Sequence, residues 1–187
     1  MGSIIDCGMS LTEWSIPARC LTALSMSAAL VPSRWPVSDV MMVPSASSMA
    51  ERTGVPCSAI ELADGTIITA QTSPLLGPSA ALILNAIKHL AGISHDEKLI
   101  PQEMIEPIQH TKVEYLRSRN PRLHTDEVLV VLSALSLIND SIRRALAKLP
   151  ELRGCQMHST VMLGEVDHKI FKKLGVGLTC DPTFKRK

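Results

Sequence analysis

The chain has 187 residues, 45% of them apolar and only 3% aromatic, with a formal net charge of +1. This suits one domain whose core is built from Leu, Ile, Val, Ala and Met, and is too short for two comfortable ones. Acids and bases are mixed along it, so no basic face of the kind nucleic acid needs is visible, and Lys185-Arg186-Lys187 reads as a solvated tail.

Five cysteines, Cys7, Cys20, Cys57, Cys155 and Cys180, are scattered and form no CxxC pair. That pattern argues against a disulfide framework or a zinc knuckle and for a reducing compartment, so a cytoplasmic location is expected. The apolar stretch from Cys20 to Val31 is too short to span a bilayer, and no membrane partner is expected.

Residues 1–36 hold both Trp residues, are rich in Ser and are interrupted by Pro17, Pro32 and Pro36. They read as an atypical, poorly ordered leader, with a single α/β domain over 37–187. Val40-Met41-Met42-Val43 reads as a short strand ended by Pro44, with a short helix from Ala46 to Arg52. Two β-rich runs, Cys57 to Leu62 and Thr66 to Ala70, flank Asp64-Gly65, a dipeptide that tolerates the positive φ of a hairpin turn. Ser79 to Leu90 is apolar over most of a helical circumference and should be buried, with Gly92 as its stop. Pro101 opens a second helix, and Thr125 should cap a third, with Asp126 and Glu127 favouring its dipole. Asn139-Asp140-Ser141 recaps the chain into a helix from Ile142 to Leu149. Met157 to Leu163 reads as a strand, Asp167 to Leu174 as a helix closed by Gly175, and Val176 to Cys180 as a last strand. The order β-β-α-α-α-α-β-α-β predicts an α/β sandwich with a mixed sheet.

Two polar loops stand out, Asn120 to Glu127 and Gly154 to Thr160, each beside an apolar run. Polar groups that close to a core must be paired or must do chemistry. Helix capping accounts for most of the first loop. Read functionally, His124, Asp126 and Glu127 transfer protons or bind a divalent metal, and Arg122 grips an anion through its planar fork, with Asn120 beside it. In the second loop Cys155 and His158 have C-x-x-H spacing, which reads first as a small buried Cys and a His satisfied at a strand start, and otherwise as half a zinc site. Ser159 should point away from His158, whereas Thr160 shares its face and is the better neighbour. Glu106 is a candidate third ligand from another element, or a partner for Lys112. The candidate catalytic set is therefore His124, Asp126, Glu127, His158 and Thr160. The ligand set is Arg122, Asn120, Ser159 and Glu106, and the metal set is His124, His158 and Cys155. Asp64 and Asp181 read as turn residues. His89, His95, His110 and His168 read as surface or helix-end positions.

From about Val40 to the C-terminus the sequence resembles the C-terminal region of a bacterial family, the domain of unknown function numbered 1846. The segments that carry the resemblance are Val55 to Ile60, Asp64-Gly65 with Ile67, Thr72-Ser73, Ala80 to Gly92 and Ile105 to Ile108. They continue with Asn120 to His124, Asp126 to Leu129, Gly154-Cys155, His158 to Thr160 and Phe171 to Pro182. The resemblance implies longer family members, with an N-terminal portion holding a glycine-rich, phosphate-loop-like segment that this chain lacks. It implies no activity. At fold level it implies similarity to the cytidine-deaminase-like sandwich, but the zinc signature of those enzymes is absent, because Pro56-Cys57 has no second Cys three residues on.

Two functions are therefore expected. One is the C-terminal subdomain of a metal- or nucleotide-dependent hydrolase or transferase, incomplete as an isolated chain, with a small or phosphorylated ligand. The other is a non-catalytic structural module that self-associates or docks on a missing N-terminal portion.

Overall fold

The computed structural model describes residues 37–182, so the expected leader at 1–36 and the terminal Lys185-Arg186-Lys187 lie outside the described residues. The elements are α1 (Val37–Thr53), β1 (Cys57–Glu61), β2 (Ile67–Gln71), α2 (Pro78–Leu90), α3 (Gln102–His110), α4 (Thr125–Leu135), α5 (Asp140–Leu146), β3 (Gln156–Ser159), α6 (Glu165–Leu174) and β4 (Gly177–Cys180). A π-helical turn (Thr111–Tyr115) continues α3, and a 3-10 turn (Leu149–Leu152) precedes β3.

Among the described residues the fold is mixed α/β, with six α-helices and one four-stranded sheet in the order β2-β1-β3-β4. β1 runs antiparallel to both β2 and β3, and β3 is parallel to β4. Hence β2, β3 and β4 all point one way, and their carboxyl ends lie together. The Asp64-Gly65 turn forms as expected. Gly65 takes φ 84°, and the Asp64 carboxylate accepts the Thr66 N–H at 2.9 Å. β3 and β4 are joined through α6, the helical crossover that a parallel pair requires.

The two faces of the sheet are covered unequally. On one face Ala59 of β1 and Ile67 of β2 meet Met42 and Ala46 of α1. On the other, Ile60, Ile68, Ala70 and Met157 join the main core with Leu82, Ile83 and Ile87 of α2, Val128 and Leu132 of α4, Ile142 of α5 and Phe171 of α6. Each such fully buried Leu, Ile or Phe contributes roughly 1.5–3 kcal/mol by transfer out of water.

Two expectations are corrected. Val40 to Val43 is not a strand, because α1 runs unbroken from Val37 to Thr53 through Pro44. Met42, Ala46 and Met49, at helical spacing, are all buried, and tertiary packing of that stripe outweighs the hydrogen bond Pro44 removes. Thr125 is not the N-cap of α4. His124 takes that place, with extended backbone, and Thr125 is the first helical residue. Among the described residues no helix is long and apolar enough to cross a membrane.

Candidate functional site

The first polar loop folds against the carboxyl end of β2. Leu123 donates its N–H to the Leu75 carbonyl (2.9 Å) and accepts the Gly77 N–H at its own (3.2 Å), so the segments before α2 and α4 run side by side. Arg122 reaches back with Nε to the Ser73 carbonyl at 2.7 Å. Asn120 Oδ1 accepts the Arg122 N–H at 3.2 Å, a local turn that sets the angle of entry into α4.

This arrangement presents His124 at the start of α4, opposite the start of α6. His124 Nδ1 lies 3.3 Å from Asp167 Oδ2. The other oxygen of Asp167 accepts the Thr125 hydroxyl at 2.6 Å and the Thr125 N–H at 3.1 Å. Asp167 is 3% exposed, whereas the His124 side chain is 37% exposed. A carboxylate so enclosed and so anchored fixes the ring of a half-exposed imidazole. With the proton on Nδ1 donated to Asp167, Nε2 is an acceptor, and it lies 3.3 Å from Asn120 Nδ2.

The electrostatics follow from those contacts. The hydrogen bond to Asp167 raises the His124 pKa, outweighing the burial that lowers it. Burial opposes the charge on Asp167, but the hydrogen bonds from His124 and Thr125 outweigh it and hold the carboxyl below its ordinary value. Glu127 stands behind the pair. Its Oε2 accepts the His124 N–H at 2.8 Å and Lys112 Nζ at 2.6 Å, and Lys112, itself buried, also donates to the Arg122 carbonyl at 2.8 Å. Asp126, one residue earlier in the first turn, has Oδ1 buried without a hydrogen-bond partner among the described residues.

The second loop is placed elsewhere. His158 pairs in register with Ala59, so its side chain lies on the α1 face of the sheet, away from the core that holds α4 and α6. There its Nδ1 meets Thr179 Oγ1 at 2.9 Å, and its Nε2 lies 3.4 Å from Asp181 Oδ1 without the alignment of a hydrogen bond. Thr160 is used by Cys57, accepting its N–H at 3.0 Å and donating to its carbonyl at 3.2 Å. Ser159 faces the core and is buried. Cys155 also belongs to the core, three residues and therefore one face away from His158, and burial pushes its thiol pKa up. The structure thus brings Asn120, Arg122, His124 and Glu127 together, leaves Asp126 in the same helical turn without a hydrogen bond to any of them, and sets His158, Ser159, Thr160 and Cys155 apart. Glu106 is exposed and accepts from Gln102 at 2.7 Å, while the partner of Lys112 is Glu127.

The three residues expected to share a metal therefore point to different faces, and among the described residues no three His, Cys, Asp or Glu side chains are arranged to hold an ion. Sequence reasoning missed Asp167, Lys112 and Thr179. Asp167 sits in the first turn of α6, where an acid ordinarily serves the helix dipole, and it lies 43 residues from His124. Nothing in the local sequence around either residue joins the two.

Comparison with known proteins places the chain among proteins of unknown function. Residues 38–187 match the family described as domain of unknown function DUF1846, C-terminal. A UPF0371 protein of Corynebacterium urealyticum is 54% identical over 149 residues, 80% of this chain and 30% of that protein. One from Corynebacterium efficiens is 53% identical over 151 residues, 81% of this chain and 30% of its own length. One from Streptococcus uberis is 46% identical over 140 residues, 75% of this chain and 28% of its own. The chain thus spans less than a third of the length of the curated relatives it matches. The match over residues 38–187, with identities of about half, makes this chain a member of the DUF1846 family, through the C-terminal domain of that family.

Proposed function

We propose that the cluster around His124 is a small-molecule site, and that this domain contributes it to a hydrolase or group transferase acting on a phosphorylated or nucleotide-like substrate. The observation that carries the reading is the His124–Asp167 pair, a half-exposed imidazole whose Nδ1 is held by a buried, doubly anchored carboxylate. In such a pair Nε2 takes a proton from an attacking water or hydroxyl, and the carboxylate stabilises the imidazolium that forms. Arg122 supplies a guanidinium suited to phosphate oxygens, its Nε already anchored on the Ser73 carbonyl. The location agrees with this role, since α/β proteins place ligands beyond the carboxyl ends of parallel strands. Similarity to the cytidine-deaminase-like sandwich remains part of this proposal at the level of layers alone, supported by a mixed sheet with helices on both faces.

The test is a thermal-shift screen of the purified chain against inorganic phosphate, nucleoside monophosphates and divalent metals. A ligand at about a hundred times its Kd adds roughly 2.7 kcal/mol, worth about 5–10 °C for a domain of this size. A shift lost in both His124→Ala and Asp167→Asn, and kept in Glu106→Gln, supports the reading. A cooperative melt that no probe moves contradicts it for this chain.

A further inference from the structure

The outer face of α4 is the least explained surface of the molecule. From Val128 to Ile138 the sequence Val-Leu-Val-Val-Leu-Ser-Ala-Leu-Ser-Leu-Ile contains no charged residue. Val128 and Leu132 are fully buried in the core. The other side of the helix, and the turn that continues it, expose Val130 (69%), Leu137 (85%) and Ile138 (85%), with Ala134 exposed between them. Val130 and Ala134 fall at i and i+4 on one face of α4, and Leu137 and Ile138 follow in the turn just beyond its end. Past its acidic first turn, exposed Ser133 is the one polar residue of α4 on this side, so the surface is largely aliphatic. α6 shows the contrast, because its exposed side carries Glu165, Lys169, Lys172 and Lys173. The turn after Leu135 is held in place by its own hydrogen bonds, Ile138 N–H to the Leu135 carbonyl at 3.1 Å and Asn139 N–H to the same carbonyl at 3.0 Å, so Leu137 and Ile138 are presented on fixed backbone.

The covering body is identified by length. The matched family region is the C-terminal one, and it accounts for only about 30% of the relatives' chains. More than twice as much chain lies outside the matched region in those proteins. We propose that the α4 stripe of Val130, Ala134, Leu137 and Ile138 is the surface on which this domain docks against the preceding part of the family chain. The surface is uncharged and made of aliphatic side chains, so its counterpart is an apolar patch without charged residues at its centre. This inference stands independently of the His124 reading, because none of the four residues belongs to that cluster.

The experiment uses the 187-residue chain and the full-length Corynebacterium urealyticum relative, each as wild type and with acidic residues at Leu137 and Ile138 or the aligned positions (Leu137→Glu with Ile138→Glu in this chain). In the 187-residue chain the pair is solvent-facing, so the double variant should melt within about 2 °C of wild type, which shows that it folds. The isolated wild type should bind an apolar-surface dye and the variant should lose that binding. In the full-length relative the same change should open the junction between domains, so that limited proteolysis there becomes at least about tenfold faster. Unchanged proteolysis and melting of the full-length variant would overturn the proposal. So would light scattering that shows a stable dimer of the wild-type full-length relative converted to a monomer by the substitutions with its junction still protected, which would assign the stripe to a second copy.

Discussion

At the scale of single residues, the His124 cluster is held by contacts that substitutions can remove one at a time. Asp167→Asn keeps the size of the side chain and removes its charge. It should cost about 1–3 kcal/mol, because the Thr125 hydroxyl and N–H lose a charged acceptor. It should also return the His124 pKa toward or below its ordinary value, since the raising contact is gone; denaturant unfolding and an imidazole titration measure the two effects. Lys112→Met is a sharper test of the loop. It leaves the Arg122 carbonyl without its donor and Glu127 without its cation, and about 1–3 kcal/mol of stability should be lost in urea unfolding. An unchanged midpoint would mean that the buried ammonium does not hold the site loop.

At the scale of elements, two helices carry opposite predictions. Pro44 is exposed inside α1 and withholds one backbone hydrogen bond, so Pro44→Ala should stabilise the protein by about 1–3 kcal/mol. Differential scanning calorimetry should show a rise of several degrees. Leu132 is fully buried between α4 and the core, and Leu132→Ala should cost about 2–5 kcal/mol by leaving a cavity, read as a lower denaturant midpoint. These same elements show what the sequence discloses. The Asp64-Gly65 hairpin, the buried α2 and the Gly175 stop of α6, which takes φ 78°, are legible because local chemistry and the final structure agree. α1 was illegible because the signal that reads as a break, Pro44, is overruled by a stripe of Met and Ala that finds the far face of the sheet. The site was half legible. Asn120 to Glu127 lie within eight residues of one another and form one cluster, but Asp167 and Lys112 come from other elements, and the strand register that sends His158 to the opposite face appears only once β1 and β3 are paired. The C-x-x-H spacing of Cys155 and His158 misleads for the same reason, since residues three apart on a strand face opposite ways.

At the scale of the whole molecule, the His124–Asp167 pair links stability to pH. The pKa of His124 is raised in the folded state, so its contribution is complete below the ordinary imidazole value of 6.5 and is lost as pH rises through the folded value. That of Asp167 is lowered, so its contribution is present above the ordinary carboxylate value of 3.8 and is lost as pH falls through the folded value. Unfolding free energy should therefore lose the pair's share both above neutrality and in strong acid. In Asp167→Asn the dependence on the alkaline side of 6.5 should flatten. A series of urea unfolding curves from about pH 2 to about pH 9 checks both limbs, and an identical pH profile for wild type and Asp167→Asn would contradict them. The exposed face of α4 is to be tested at the same scale, because the docking proposed for it involves chain outside this domain, whereas the His124 cluster is built entirely from residues of this domain.

The most direct measurement is a nitrogen-15 NMR titration of the imidazoles in the intact chain, with His124→Gln used to assign the resonance. His124 should carry its neutral-form proton on Nδ1, titrate above the ordinary imidazole value, and lose that displacement in Asp167→Asn. A His124 ring protonated on Nε2, with an ordinary titration untouched by Asp167→Asn, would contradict this.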